Sequence, residues 1–133
     1  MVQVTKLSFG ATYINHENGI VESSIENGTE ITAENVDEII EFFQSMNPPA
    51  RLLLADRKNR YSFTFEAIQK IKNVDVVDAC AEVHYGRKVW WKMANFITPK
   101  YFKLRFFNDK SDAVKWLLEI KKEEEHKVLK QKV

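Results

Sequence analysis

The stretch "LLLADRKNRYSFTFEA", Leu52 to Ala67, carries the reading that decides the fold. An apolar run ends in Asp56. A basic loop follows through Arg57, Lys58 and Arg60, and Ser62 or Thr64 then offers a hydroxyl to cap a helix that reaches about Asn73. The continuous apolar run Arg51–Ala55 is the pattern of a strand covered on both faces of a sheet. Such a strand needs helices above and below it, which sets the class as α/β. In open α/β sheets ligands gather at strand C-termini, where Asp56 stands.

Outward from this junction, Val4–Ile14 carries the alternation of a strand, "NHENG" (Asn15–Gly19) is a turn signal, and Ile20–Ile25 reads as the hairpin partner. Thr32 is an N-cap with Glu34 in the first turn, and Val36, Ile39, Ile40 and Phe43 follow at helical spacing until "NPP" stops the ladder. Val76–Val83 reads as a strand, Gly86–Ile97 as a helix and Tyr101–Phe107 as an aromatic-rich strand. Asp109 and Asp112 have capping-box spacing before a helix whose buried face is Ala113, Trp116, Leu117 and Ile120. The order ββαβαβαβα predicts a mixed, mainly parallel sheet with an N-terminal antiparallel hairpin and about four helices. Residues 1–122 read as one domain. Residues 123–133 read as a charged extension, either a solvated helix held by pairs such as Glu123–Lys127 or a frayed tail.

Bulk composition bounds the function. A chain of 133 residues with 44% hydrophobic and 29% charged residues suits one globular domain. The apolar runs are too short to span a membrane, and "MVQVTKLSFGATY" lacks the apolar region of a secretory signal. Cys80 is the only cysteine, so a reducing, cytoplasmic setting is expected. The net charge of +1 hides an asymmetry: Leu7–Ala50 carries carboxylates and no Lys or Arg, whereas Val83–Asn108 carries bases and no Asp or Glu. On separate faces these segments make a charge dipole that steers partners; as neighbours they neutralise each other.

Signals of catalysis are weak. Cys80 and His84 share a face of a strand but lie roughly 13 Å apart along it, too far for one zinc ion or a nucleophile–base pair. There is no G-x-S-x-G elbow, and Gly10, Gly19, Gly28 and Gly86 form no phosphate-binding loop. No catalytic residue, metal or cofactor is therefore expected, and the chain reads as non-enzymatic. On a helical wheel of residues 86–97, Val89, Trp90, Met93, Phe96 and Ile97 fall on one apolar arc. Trp91 points away, beside Arg87 and Lys88. A Trp flanked by bases suits a protein partner or self-association; it would also stack a nucleobase, but the balanced charge and the lack of an RNA-binding signature disfavour nucleic acid.

Three stretches resemble the STAS fold, in the SpoIIAA-like branch of small stand-alone bacterial proteins. They are "GIVESSIENGTEITAENVDEIIEFF", the strand end "LLLADRKN", and "FKLRFFNDKSDAVKWLLE". Together they cover most of residues 5–120. The resemblance implies a module that docks to proteins, since anti-sigma antagonists of this fold meet a kinase through a serine in an Asp-Ser-Ser-Gly motif. Asp56 and a phosphoacceptor hydroxyl at Ser62 or Thr64 carry over; the Ser-Ser-Gly core is missing. The first expectation is thus a protein-interaction or regulatory module, docking through Asp56, Arg57, Lys58 and Arg60 with Arg87 and Trp91, and forming a homodimer. The alternative is a carrier of a small apolar ligand or lipid, with a pocket between sheet and helices.

Overall fold

The protein, a computed structural model, is described over residues 2–85 and 98–131. Its strands are β1 (Gln3–Lys6), β2 (Ala11–Asn15), β3 (Ile20–Ile25), β4 (Glu30–Ile31), β5 (Leu52–Asp56), β6 (Ser62–Phe63), β7 (Ala79–Val83) and β8 (Lys103–Phe107). The helices among the described residues are α1 (Ala33–Ser45), α2 (Phe65–Ile71) and α3 (Lys110–Gln131). Six strands form one sheet in the order β1-β2-β3-β5-β7-β8. β1–β2 and β2–β3 pair antiparallel, and β3, β5, β7 and β8 are mutually parallel. The mixed, mostly parallel α/β class read from the junction at Asp56 is the class observed. The expected fourth helix, Gly86–Ile97, lies outside the described residues, as do Arg87 and Trp91.

The N-terminal half of the sheet differs from the sequence reading. Where alternation predicts one strand over Val4–Ile14, the chain makes two, paired Val4 to Ile14 and Lys6 to Thr12. The bend sits at Gly10, whose φ of +82° is open to glycine and strained for other residues. A Cβ there would also stand 2.8 Å from Glu26 Oε2. Leu7 N–H closes the turn on Ala11 O at 2.8 Å.

Strand alternation divides the core into two layers. Ile20, Leu52, Leu54, Ala79, Ala81 and Val83 face α3, which answers with Ala113, Leu117 and Ile120. Ala79, Ala81 and Ala113 are fully buried, and their small side chains bring α3 close to the sheet. Tyr13, Val21 and Ile25 face the other way, against Val36 and Phe43 of α1 and Ala67 of α2.

Caps set the helix starts. Thr32 accepts from Asn35 N–H, and Asn35 Oδ1 accepts from Thr32 N–H, a reciprocal capping box. Thr64, not Ser62, caps α2 by accepting from Ala67 N–H at 3.1 Å; Ser62 is instead in β6, paired with Glu30. Asp109 accepts from Asp112 N–H at 2.8 Å at the start of α3. The packed face of α3 ends at Ile120, yet the helix continues to Gln131 with Val128 and Leu129 exposed. The acidic segment builds β2, β3, β4 and α1. Basic β8 lies at the opposite edge of the sheet, with β5 and β7 between.

Candidate functional site

Parallel strands present their C-terminal ends on one edge, and two of them bring charged side chains inward there. Glu82 and His84, two residues apart on β7 and its extension, project toward the α1–α2 layer. Arg57, just past β5, joins them. Two backbone bonds continue the sheet beyond the strand ends, Arg57 N–H to Val83 O and His84 N–H to Phe107 O, both 3.0 Å. This fixes the three side chains on a rigid frame.

Arg57 is buried, with 6% of its surface exposed. Its Nη2 donates to Tyr61 O at 2.9 Å, its guanidinium lies 4.1 Å from the centre of the Tyr61 ring, and Nη1 stands 3.4 Å from Glu82 Oε1. Burial of a charge costs several kcal/mol unless it is paired, and here a carboxylate, a carbonyl and an aromatic face share the task. The loop that follows is stitched to residues 25–31. Asn59 Nδ2 donates to Ile25 O, Gly28 N–H to Arg60 O, Ser62 N–H to Thr29 O and Thr64 N–H to Ile31 O, at 2.8–3.0 Å.

This arrangement differs from the open basic loop that the sequence suggests. Asp56 and Arg57 are both buried, because β5 continues into the core edge and Glu82 draws the guanidinium inward. Asp56 belongs to the α3 side of the sheet and accepts from Lys58 N–H at 3.1 Å. Lys58, Arg60 and Ser62 are exposed, and Thr64 is half-buried as the cap of α2. Glu82 was not singled out by sequence, and His84 was weighed only as a partner for Cys80. The signal was there: a carboxylate inside the apolar run "ACAEV" has to find a partner once the strand is buried.

Above these groups, between the sheet and α1–α2, is a cavity of about 110 Å³. Its floor includes the small side chains of Ser23, Ala55 and Cys80, and its walls include Ile31, Phe43 and Phe63. Almost all of the surface is apolar; Glu82 and Tyr61 reach it from the charged edge. Burial pushes the Tyr61 hydroxyl, the Tyr13 hydroxyl and the Cys80 thiol well above their ordinary pKa values, so all three are neutral at pH 7. Among the described residues Glu82 Oε2 and His84 Nε2 have no hydrogen-bond partner. They lie 3.6 Å apart, too far for a good hydrogen bond to each other.

A second charged group occupies the α3 side of the same edge and is internally satisfied. Glu22 Oε1 meets His16 Nε2 at 3.0 Å, and Glu22 Oε2 meets Lys110 Nζ at 2.6 Å. Burial raises the Glu22 pKa, but Lys110 and His16 outweigh it and hold the carboxyl below its usual 4.5. The same contact raises Lys110. Among the described residues no group of three His, Cys, Asp or Glu side chains is placed to hold a metal ion, and no helix is long and apolar enough to cross a membrane.

No protein-family model matches the chain, and no curated protein matches it. Among solved structures it is similar to an uncharacterised protein of the DUF3478 family with a SpoIIAA-like fold from Shewanella loihica PV-4. The two share 18% identity over 88% of this chain and 92% of that one, with a TM-score of 0.49.

Two outcomes test this account of the site. Arg57→Met leaves Glu82 buried without its cation and is expected to lower unfolding free energy by about 3–5 kcal/mol in urea titrations. Adding Glu82→Leu should recover much of that loss; a double variant as weak as the sum of the singles would refute the coupling. Because the folded Glu22 pKa is depressed, its contribution is fully present above about 4.5 and lost as pH falls through the folded value. Glu22→Gln should therefore be less stable than the parent at pH 7, with the gap closing below pH ~4 in urea midpoints taken across pH.

Proposed function

We propose that the chain is a non-enzymatic binding module that holds one small apolar molecule in the cavity between the sheet and α1–α2. The observation that carries this reading is the cavity itself, lined by apolar side chains and ending at a buried charged edge. An apolar cavity of about 150 Å³ accepts benzene, so a space of about 110 Å³ is on the scale of a single ring or a short chain. The small floor residues Ser23 and Ala55 are what leave the room, since neighbouring strands place them side by side in register. The neutral Cys80 thiol supports a binding role over a nucleophilic one, because the thiolate is the reactive form.

Protein docking is a second reading, with its own observation. Phe65, in the first turn of α2, is 70% exposed beside exposed Ser62 and Glu66, an unusual place for a large apolar ring. On this reading Ser62 remains the accessible phosphoacceptor, with Arg60 and Lys58 at the rim.

For the first reading, benzene titrated into methyl-labelled protein should shift the Ile31, Val36 and Leu53 methyls saturably by NMR. Ala55→Leu, which fills the floor, should abolish the shifts; an unperturbed spectrum of the parent at saturating benzene would sink the carrier reading. For the second, affinity capture from source-cell extract at low salt should return a defined protein that Phe65→Ser releases. Equal recovery with Phe65→Ser would remove the docking surface from consideration.

A further inference from the structure

The floor of the cavity carries a hydroxyl that the fold leaves unused. Strand pairing sets Tyr13, Ser23, Ala55 and Glu82 side by side in one row across β2, β3, β5 and β7, and all four line the cavity. In serine the hydroxyl oxygen sits one bond from Cβ, so a strand that aims the Ser23 Cβ toward the cavity carries its Oγ there as well. Ser23 is 3% exposed, and among the described residues its hydroxyl meets no hydrogen-bond partner. It is not walled in either. Among the described residues the buried side-chain atoms that are both unpartnered and sealed are Glu82 Oε2 and His84 Nε2. The Ser23 hydroxyl therefore keeps its hydrogen-bonding capacity open to the cavity. Tyr13, next to it in the row, is 2% exposed, and Tyr61 and Cys80 both add to the upward push on its pKa. Three neutral polar groups thus stand near one another along this lining.

That hydroxyl selects the head of the ligand, and this inference rests on the carrier reading given above. We propose that the cavity takes a small neutral ketone, its carbonyl oxygen accepting a hydrogen bond from the Ser23 hydroxyl and its apolar body lying against Phe43 and Leu53. Apolar walls with a few placed polar groups are the usual form of a small-molecule site, and the polar groups orient the occupant. Burial keeps Tyr13 and Tyr61 protonated, so the groups near Ser23 offer donors and no charge. A ketone asks only for a donor, whereas an alcohol brings an O–H of its own to satisfy. A carboxylate is a poor fit. Among the described residues that line the cavity Glu82 alone is charged, and its like charge disfavours an anion. Arg57 is already occupied by Glu82 Oε1 and Tyr61 O. A pure hydrocarbon fits the walls but leaves the Ser23 hydroxyl unpaired.

The test compares cyclopentane with cyclopentanone on the intact protein, two rings of matched size whose binding constants come from methyl NMR titration. Ser23→Ala should weaken cyclopentanone roughly tenfold, the worth of one lost hydrogen bond, while cyclopentane binds at least as tightly as before. Equal changes in the two constants, or no change in either, would overturn the inference. An infrared measurement needs no variant. The carbonyl stretch of cyclopentanone bound to the parent should fall below its position in a hydrocarbon solvent, because a hydrogen bond weakens the C=O bond. A stretch at the hydrocarbon position would overturn the inference while leaving the carrier reading intact, since the ring would then be held with its carbonyl unpaired. Binding of cyclopentane alone would also overturn it. If neither ring binds, the carrier reading itself fails. Because the infrared comparison uses the parent protein, a Ser23→Ala variant that does not fold leaves the test standing.

Discussion

The site depends on one buried cation. Arg57 leaves the end of β5 and, instead of entering solvent with Lys58 and Arg60, turns under the Tyr61 ring to meet Glu82. The turn fixes where the following loop runs. Tyr61 O is bound by the guanidinium, Ser62 and Thr64 then reach Thr29 and Ile31 through the backbone, and Thr64 is left in position to cap α2. A buried ion pair is weak support for stability, because desolvation offsets much of its Coulomb attraction. Its stronger effect is on placement: the loop cannot relax without exposing or orphaning the charge.

The two layers of the core solve the packing of small residues in opposite ways. On the α3 side, the fully buried Ala79 and Ala81 are matched by Ala113, so small side chains meet across the layer. On the α1–α2 side, Ser23, Ala55 and Cys80 are small, but the residues opposite them are large: Phe43, Ile40 and Phe63. Bulky side chains hold the helices away from the sheet while the floor stays low, and the space between is the cavity. Tyr13, Phe42 and Phe43 brace one side with ring centres 5.1–6.2 Å apart, a contact range in which tilted and edge-on rings attract. The charged edge closes the other end, which gives the space a direction.

Periodicity and capping chemistry were legible in the sequence because they are local. The apolar run ending at Asp56 fixed a doubly covered strand. Thr32 and Asp109 marked helix starts by side chains that reach only three residues ahead, with Ser62 or Thr64 left open for the second helix, and the α/β class followed from the alternation of strands and helices. The hairpin bend at Gly10 was concealed because both of its strands keep the same alternation, and only pairing distinguishes one long strand from two short ones. The exposed basic loop was misjudged at Arg57 for a related reason. Sequence places a base after the strand, but the carboxylate that draws it inward is Glu82, twenty-five positions away.

What the sequence determined by itself was thus the α/β class, the main parallel strands and the starts of α1 and α3, since these depend on neighbours within a few residues. Tertiary structure alone decided that Arg57, Glu82 and His84 share one buried edge, and that small side chains from β3, β5 and β7 line up beneath large ones from α1 and β6. The physical reason is register: side chains distant in the chain become neighbours only once strands pair, and whether a buried charge is satisfied or left open depends on what pairing brings beside it.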